Sequence, residues 1–383
     1  MNIHPFRGLG LLAEAKQRES EGAKIWHFSA GEPEHGAPPA VRRAMHSALD
    51  NRSLGYTEAV GMPAVREKIQ EHLFRKNDVD VPIDRILVTS GASVGLLMTL
   101  HVLAARSPEP LVPLVVGLVV PYYSPYLQLV HAVRGAAQFI RPADPRFVTV
   151  ADIEAAHAEK PLRALILNSP SNPSGMIIPR AELRRITDFA AAHNITIVSD
   201  EIYHGITYDE TPATSMLEMG DSAIVLNGFS KYFCMTGWRL GWLITPPDWQ
   251  ADFIARAQQF FVAPSALAQW AALDAFLDYD LLNQRVERYQ RARDLLIAGL
   301  ASWGLHPPCA PAGAFYLYVD ITSMGLDSER VAELWLREAG VSVVPGLDFD
   351  EENGGQFVRF SYACGPDNVQ GGIDALNAWF SQR

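Results

Sequence analysis

The chain has 383 residues, 48% of them hydrophobic and 20% charged, with a formal net charge of −11. That length suits one large core plus a smaller domain, and the acidic balance excludes a general nucleic-acid binder, which needs a basic face. The longest apolar run, Leu111–Val120, contains Pro113 and is shorter than the roughly 20 residues of a membrane-spanning helix. Cys234, Cys309 and Cys364 are too scattered for a metal cluster and odd in number for a disulfide framework. With no signal-peptide pattern at the N-terminus, the expectation is a reduced, cytoplasmic protein without metal, membrane or nucleic-acid partners.

The first 50 residues predict a helical lead-in, the loop Ser29-Ala30-Gly31-Glu32-Pro33 and a helix from Pro39 to about Leu49. Gly8-Leu9-Gly10 has the look of a dinucleotide fingerprint, but no strand precedes it, so it reads as chance. The loop Gly55-Tyr56-Thr57-Glu58 with Gly61 leads into a helix from Pro63 to about Lys76. Strand-like and helical patterns then alternate. Strand Ile86–Thr89 runs through Ser90-Gly91-Ala92 into a helix from Ser93 to Ala105, and strand Leu114–Val120 precedes Pro121-Tyr122-Tyr123 and a further helix. Strand Arg163–Leu167 ends at Asn168, before a loop holding Asn172 and a helix over Pro179–His193. Strand Ile195–Ser199 ends at Asp200-Glu201-Ile202-Tyr203, strand Ala223–Leu226 precedes Lys231, and Leu240–Thr245 follows Arg239. Such alternation predicts a mostly parallel sheet with helices on both faces. Trp249–Trp303 reads as helical, with a spacer from Tyr279. From Leu305 the pattern is strand Ala314–Asp320, helix Ser328–Ala339, strands Val341–Val344 and Gln356–Tyr362, and helix Asp367–Phe380. The expected division is residues 1–50 packing with a small C-terminal α/β domain at 305–383, a large domain at 51–278, and a linking helix at 279–304.

In an open parallel sheet, ligands bind beyond the carboxyl ends of the strands. Four polar clusters stand at such ends: Ser90-Gly91-Ala92-Ser93, Asn172, Asp200 with Tyr203, and Lys231 with Arg239. Each alone has an ordinary reading as a cap, a turn or a solvated loop lysine. Lys231 is one of only six lysines, and a lysine in a tight, half-buried turn can also be an amine whose pKa is lowered for Schiff-base chemistry. Together the clusters describe a ligand. The helix start at Gly91, with Ser230 and Arg239, suits a phosphate; Asp200 suits a protonated ring nitrogen; Asn172 and Tyr203 suit a phenolic oxygen; Tyr123 offers a ring to stack on. Pyridoxal 5′-phosphate has all of these parts.

On these residues the sequence resembles the class I/II, fold-type I aminotransferases from about Ser29 to Ala378. The most specific motif is Ser230-Lys231 with Gly237-Trp238-Arg239-Leu240-Gly241, supported by Asn172-Pro173-Ser174-Gly175, Ser199-Asp200-Glu201-Ile202-Tyr203, the Tyr56…Gly61 loop and Val358-Arg359-Phe360-Ser361-Tyr362. The resemblance implies a large domain with a seven-stranded, mostly parallel sheet and a smaller α/β domain. It implies ping-pong amino transfer between an L-amino acid and a 2-oxo acid on pyridoxal phosphate, with Lys231, Asp200 and Tyr203 as catalytic residues. Lys231 would bond the cofactor aldehyde, Asp200 would pair with the pyridine nitrogen, and Asn172 and Tyr203 would bond the ring oxygen. Gly91, Ala92, Ser93, Ser230 and Arg239 would take the phosphate, and Tyr123 would stack on the ring. Tyr56 would reach the phosphate of a partner subunit, which implies a homodimer with shared sites. Arg359, with Gly31 and Asn172, would bind the substrate.

Three departures stand out. Gly228 occupies a position where many family members carry a phosphate-binding serine, Val120 replaces a common acidic residue, and Glu34-His35-Gly36 replaces an acid-plus-aromatic run. Ala257–Gln284 contains no basic residue, so a side-chain clamp known in dicarboxylate-specific relatives does not carry over. A C–S β-lyase on the same cofactor is the alternative reading. A ligand sensor fused to a DNA-binding domain lacks a segment for that domain, and an inactive scaffold fits poorly with Lys231, Asp200 and Arg239 all in place.

Overall fold

The computed structural model describes residues 6–107 and 112–382; the first five residues of the predicted lead-in and Leu111, which opens the longest apolar run, lie outside the described residues. The strands in chain order are β1 (Trp26–His27), β2 (Ile86–Thr89), β3 (Val115–Val119), β4 (Ala136–Ile140), β5 (Ala164–Asn168), β6 (Thr196–Asp200), β7 (Ile224–Gly228), β8 (Gly241–Ile244), β9 (Tyr316–Asp320), β10 (Val341–Ser342), β11 (Val344–Pro345) and β12 (Phe357–Ser361). Seven of them form one sheet in the order β2-β8-β7-β6-β5-β3-β4. Only β8 runs against its neighbours; the other pairs are parallel. That reversal matters for the site. It sets Gly241, the first residue of β8, opposite Gly228, the last of β7, so the segment carrying Arg239 enters at the edge where the parallel strands end.

The sheet is buried on both faces, so its strands read as continuous apolar runs. Leu165 and Leu167 of β5 point into one core and Ala164 and Ile166 into the other. On the second face lies the helix Ala92–Ala105, which buries Leu96, Met98, Leu100, Val102 and Leu103. A helix apolar nearly all round has to be covered on all sides. Gly95 lets it close onto the sheet, where an added methyl would meet Leu226 Cδ2 at 3.2 Å.

The C-terminal strands form a separate antiparallel sheet, β11-β12-β9, while β1 pairs in parallel with β10. The N-terminal segment therefore joins the C-terminal part through backbone hydrogen bonds. The helix Arg7–Ser20 packs beside β11 at Gly8, where an added methyl would lie 2.8 Å from Val344 Cγ1. That close contact accounts for Gly8, while Gly10 has open space around it.

Three elements depart from the sequence reading. Strand β4 was not anticipated; it is an edge strand with half-exposed residues, so it lacks a continuous apolar run. The helical stretch from Trp249 divides into Gln250–Phe260, Ala266–Ala272 and Tyr279–Ala301, with the Ser265 and Asp278 side chains accepting from the backbone of the second and third. The single strand expected over Val341–Val344 splits: Val341 pairs with Trp26 and Val344 with Arg359.

Candidate active site

One cavity of about 530 Å³ opens at the carboxyl edge of the large sheet, lined among others by Ser93, Tyr123, Asp200, Lys231, Arg239 and Arg359. Each reaches it for a local reason. Asp200 closes β6, Lys231 follows the end of β7, and Arg239 sits in the left-handed region at φ 52° just before β8. Gly91, at φ 90°, caps the helix Ala92–Ala105. A methyl in place of its hydrogen would lie 2.9 Å from Arg239 Nη2, so the absent side chain lets the guanidinium rest against the helix start.

The Lys231 amine donates to the Gly31 carbonyl at 2.7 Å. Burial, with the charges of Arg359 and Arg239, brings its pKa down to about 8, against the pull of Glu32 and Asp200. Asp200 is buried; its carboxylate accepts from the Tyr126 hydroxyl at 2.6 Å and from the Ile202 N–H at 3.2 Å. Burial raises its pKa, and those two hydrogen bonds work against the rise. Asn168 ties the floor together, donating to the Asp200 carbonyl at 2.9 Å and accepting from the Asn172 N–H at 2.8 Å.

Arg359 comes from β12 in the other sheet. Its Nη1 donates to Asn172 Oδ1 at 3.2 Å and its Nη2 to the Ser29 carbonyl at 2.6 Å. The guanidinium lies 4.5 Å from the Tyr316 ring centre and 4.9 Å from that of Phe349. Its Nε is buried without a hydrogen-bond partner among the described residues. The Tyr203 and Tyr316 hydroxyls are 2.9 Å apart.

The cavity thus gathers Gly31, Ala92, Ser93, Tyr123, Asn172, Asp200, Tyr203, Ser230, Lys231, Arg239 and Arg359 from the expected set. Gly91 lies behind Arg239 rather than on the surface of the cavity. Tyr56 is 89% exposed and away from the cavity of its own chain. His35 faces outward, 3.6 Å from Glu34. Tyr126, Tyr316, Asn168 and Glu32 were not singled out from sequence. Tyr126 and Tyr316 reach their partners across 74 and 113 residues, and no local spacing signals that. Gly228 also finds its reason here: a side chain would meet Gly241 Cα at 3.0 Å and the Leu240 carbonyl at 3.1 Å. A serine would require the backbone of β8 to give way by a few tenths of an ångström.

Fold and cavity together define a fold-type I aminotransferase. The chain belongs to the family described as aminotransferase class I and II, whose model matches residues 23–376. Among curated relatives, valine–pyruvate aminotransferase of Mycobacterium tuberculosis is 32% identical over 382 residues, covering 98% of this chain and 96% of the relative. Aspartate/prephenate aminotransferase of Thermus thermophilus is 31% identical, covering 97% and 95%. Among solved structures, an aminotransferase from M. tuberculosis superposes with a TM-score of 0.93 at 32% identity, covering 100% of this chain and 98% of that one. Aspartate aminotransferase from T. thermophilus with maleate gives 0.87 at 30% identity, covering 98% and 96%. The activity is therefore amino-group transfer, and these names offer no support for a lyase. Dependence on pyridoxal phosphate is a general property of the family. Among the described residues no helix is long and apolar enough to cross a membrane.

Proposed function

We propose that this chain transfers an amino group between an L-amino acid and a 2-oxo acid by a ping-pong reaction, with pyridoxal 5′-phosphate held in the cavity by the residues that line it. The observation that carries this reading is the shared cavity of Lys231 and Asp200, an amine with a lowered pKa and a buried carboxylate. The donor set suits the cofactor. Arg239 against the helix start at Gly91, with Ser93 and Ser230 nearby, forms a cationic cradle where a helix N-terminus favours phosphate. A protonated ring nitrogen beside Asp200 would give that buried carboxyl the cation that favours its charged form.

When bound, the pyridoxal ring supplies an electron sink for the substrate Cα. Lys231 Nζ takes the proton from Cα and returns it on the way to product. Asp200 holds the proton on the ring nitrogen. Asn172 and Tyr203 would hold the ring oxygen, and Tyr123 would offer its ring to the cofactor. Arg359 grips the substrate carboxylate and so aligns the Cα–H bond with the base. The exposed Tyr56 is free to reach the phosphate of a second subunit, so the proposed assembly is a homodimer with shared sites. The proposed setting is the cytoplasm. The proposed domains are a cofactor-binding unit at 51–278 and a smaller unit at 305–383, joined by 279–304 and completed by 1–50.

Adding amino acids singly to cofactor-loaded protein tests the reading: the aldehyde absorbance should give way to that of the aminated cofactor, and no response to any amino acid would refute it. Loading itself has a predicted pH dependence. Only the free amine attacks the aldehyde, so the loading rate of cofactor-free protein should climb as pH rises toward about 8 and then level off. An ordinary lysine would keep gaining up to about 10.4. Arg359→Lys replaces a planar two-pronged donor with a point charge. The apparent affinity for amino acid and oxo acid should fall about 10- to 100-fold, equivalent to about 1.4–3 kcal/mol. Equal KM values in the variant and the parent protein would remove Arg359 from the site.

A further inference from the structure

Resting on that reading, we infer that the substrate class is amino acids with uncharged apolar side chains, and that Leu9 and Leu12 of the N-terminal helix select them. The position of this helix follows from Arg359. Val344 of β11 is the register partner of Arg359, and Gly8 packs directly on Val344. Phe6 meets Phe349 edge-on at 6.3 Å, and Phe349 in turn lies under the Arg359 guanidinium. A carboxylate held by Arg359 therefore brings the rest of the substrate beside the first turns of the helix. There Phe6, Leu9 and Leu12 line the cavity, and Pro125 and Leu129 line it too.

The helix is held as a fixed wall. The Asp348 carboxylate accepts from the Arg7 and Gly8 N–H groups at 3.1 and 2.8 Å, which satisfies two of the free donors at the helix start. Arg7 also pairs with Glu329 at 2.8 Å, and Arg337 with Glu14 at 2.8 Å. Within one chain Leu9 is 61% exposed, a large apolar side chain on the cavity that gains by meeting an apolar substrate group.

The charges contributed by this chain point the same way. Among the described residues, the cations lining the cavity are Lys231, Arg239 and Arg359, and each already has a task in the proposed reaction. Within one subunit, none of these three is left for a second substrate carboxylate. The carboxylates on the cavity are Asp200 and Glu32. Asp200 serves the ring, and Glu32 accepts from Thr236 Oγ1 at 2.6 Å while holding negative charge near Lys231.

The test uses cofactor-loaded protein and two readouts. Single-turnover absorbance with leucine, valine and methionine should show conversion at least 10-fold faster than with aspartate or glutamate. Binding without turnover follows from spectral titration with 2-methylleucine and 2-methylaspartate, which lack the Cα hydrogen; the leucine analogue should bind tighter. Leu9→Arg, at an exposed position, and Leu12→Arg should each shift both ratios toward the dicarboxylate by 10-fold or more. If aspartate is preferred by the parent protein, or if both arginine variants leave the ratios unchanged, the assignment is wrong while amino transfer stands. If no amino acid converts the cofactor, the underlying reading has failed instead.

Discussion

Lys231→Ala should abolish turnover. The variant would lose both the proposed covalent anchor for the cofactor and the proposed base at Cα, and the expected fall in kcat is about four orders of magnitude or more, since general acid–base catalysis by one group contributes up to about 10⁴-fold and the covalent role adds to it. Lys231→Arg should fare no better, because a guanidinium stays protonated and cannot attack an aldehyde. Steady-state assays with the preferred amino acid, alongside absorbance of the bound cofactor, check both variants; a Lys231→Ala protein turning over within 100-fold of the parent would overturn the mechanism. Stability should move the other way. In cofactor-free protein, the folded state holds the Lys231 proton less tightly, at a pKa of about 8, than the unfolded chain does at about 10.4. The folded state is thus penalised by about 3 kcal/mol below pH 8, and the penalty fades as pH rises from about 8 toward 10.4. Lys231→Met should therefore raise the melting temperature of cofactor-free protein at pH 7 and lose that advantage near pH 10.5.

Asp200→Ala should leave the cofactor bound while slowing proton removal from Cα by two to three orders of magnitude, about 3–4 kcal/mol of lost transition-state stabilisation. The physical reason is location. The Asp200 carboxyl is buried on the floor of the cavity, and a water taking its place would bring no negative charge to the ring nitrogen. Single-turnover rates from the absorbance change separate this effect from substrate binding, and a deuterium isotope effect at Cα should grow in the variant. An unchanged rate would exclude Asp200 as the ring partner. Its raised pKa also predicts that cofactor-free protein loses stability as pH rises from the unfolded carboxyl value of about 3.9 through the higher folded value. Asp200→Asn should remove that slope, as thermal unfolding across pH 4–7 would report.

Much of the site could be read before any coordinates, because its parts sit where local rules speak. Asp200, Asn172 and Lys231 each follow a short apolar run and precede a turn or helix, and such positions converge in a mostly parallel sheet. The helix start at Gly91 was visible as small polar residues before a long apolar helix. Other features had no local signature. Edge strand β4 lacks an apolar run because one side meets water. The hydroxyls that support the predicted residues, Tyr126 on Asp200 and Tyr316 on Tyr203, come from distant segments.

Sequence patterning accounts for the parallel core, the polar strand ends that meet at the cavity and the placing of Lys231 among them, since each depends on neighbours a few residues away. The reversed β8 that delivers Arg239, the tight space around position 228, and the wall that the N-terminal helix sets beside Arg359 depend on contacts between segments distant in the chain. Gly8 and Asp348 are 340 residues apart, and their hydrogen bond exists only where the N-terminal helix meets the turn after β11.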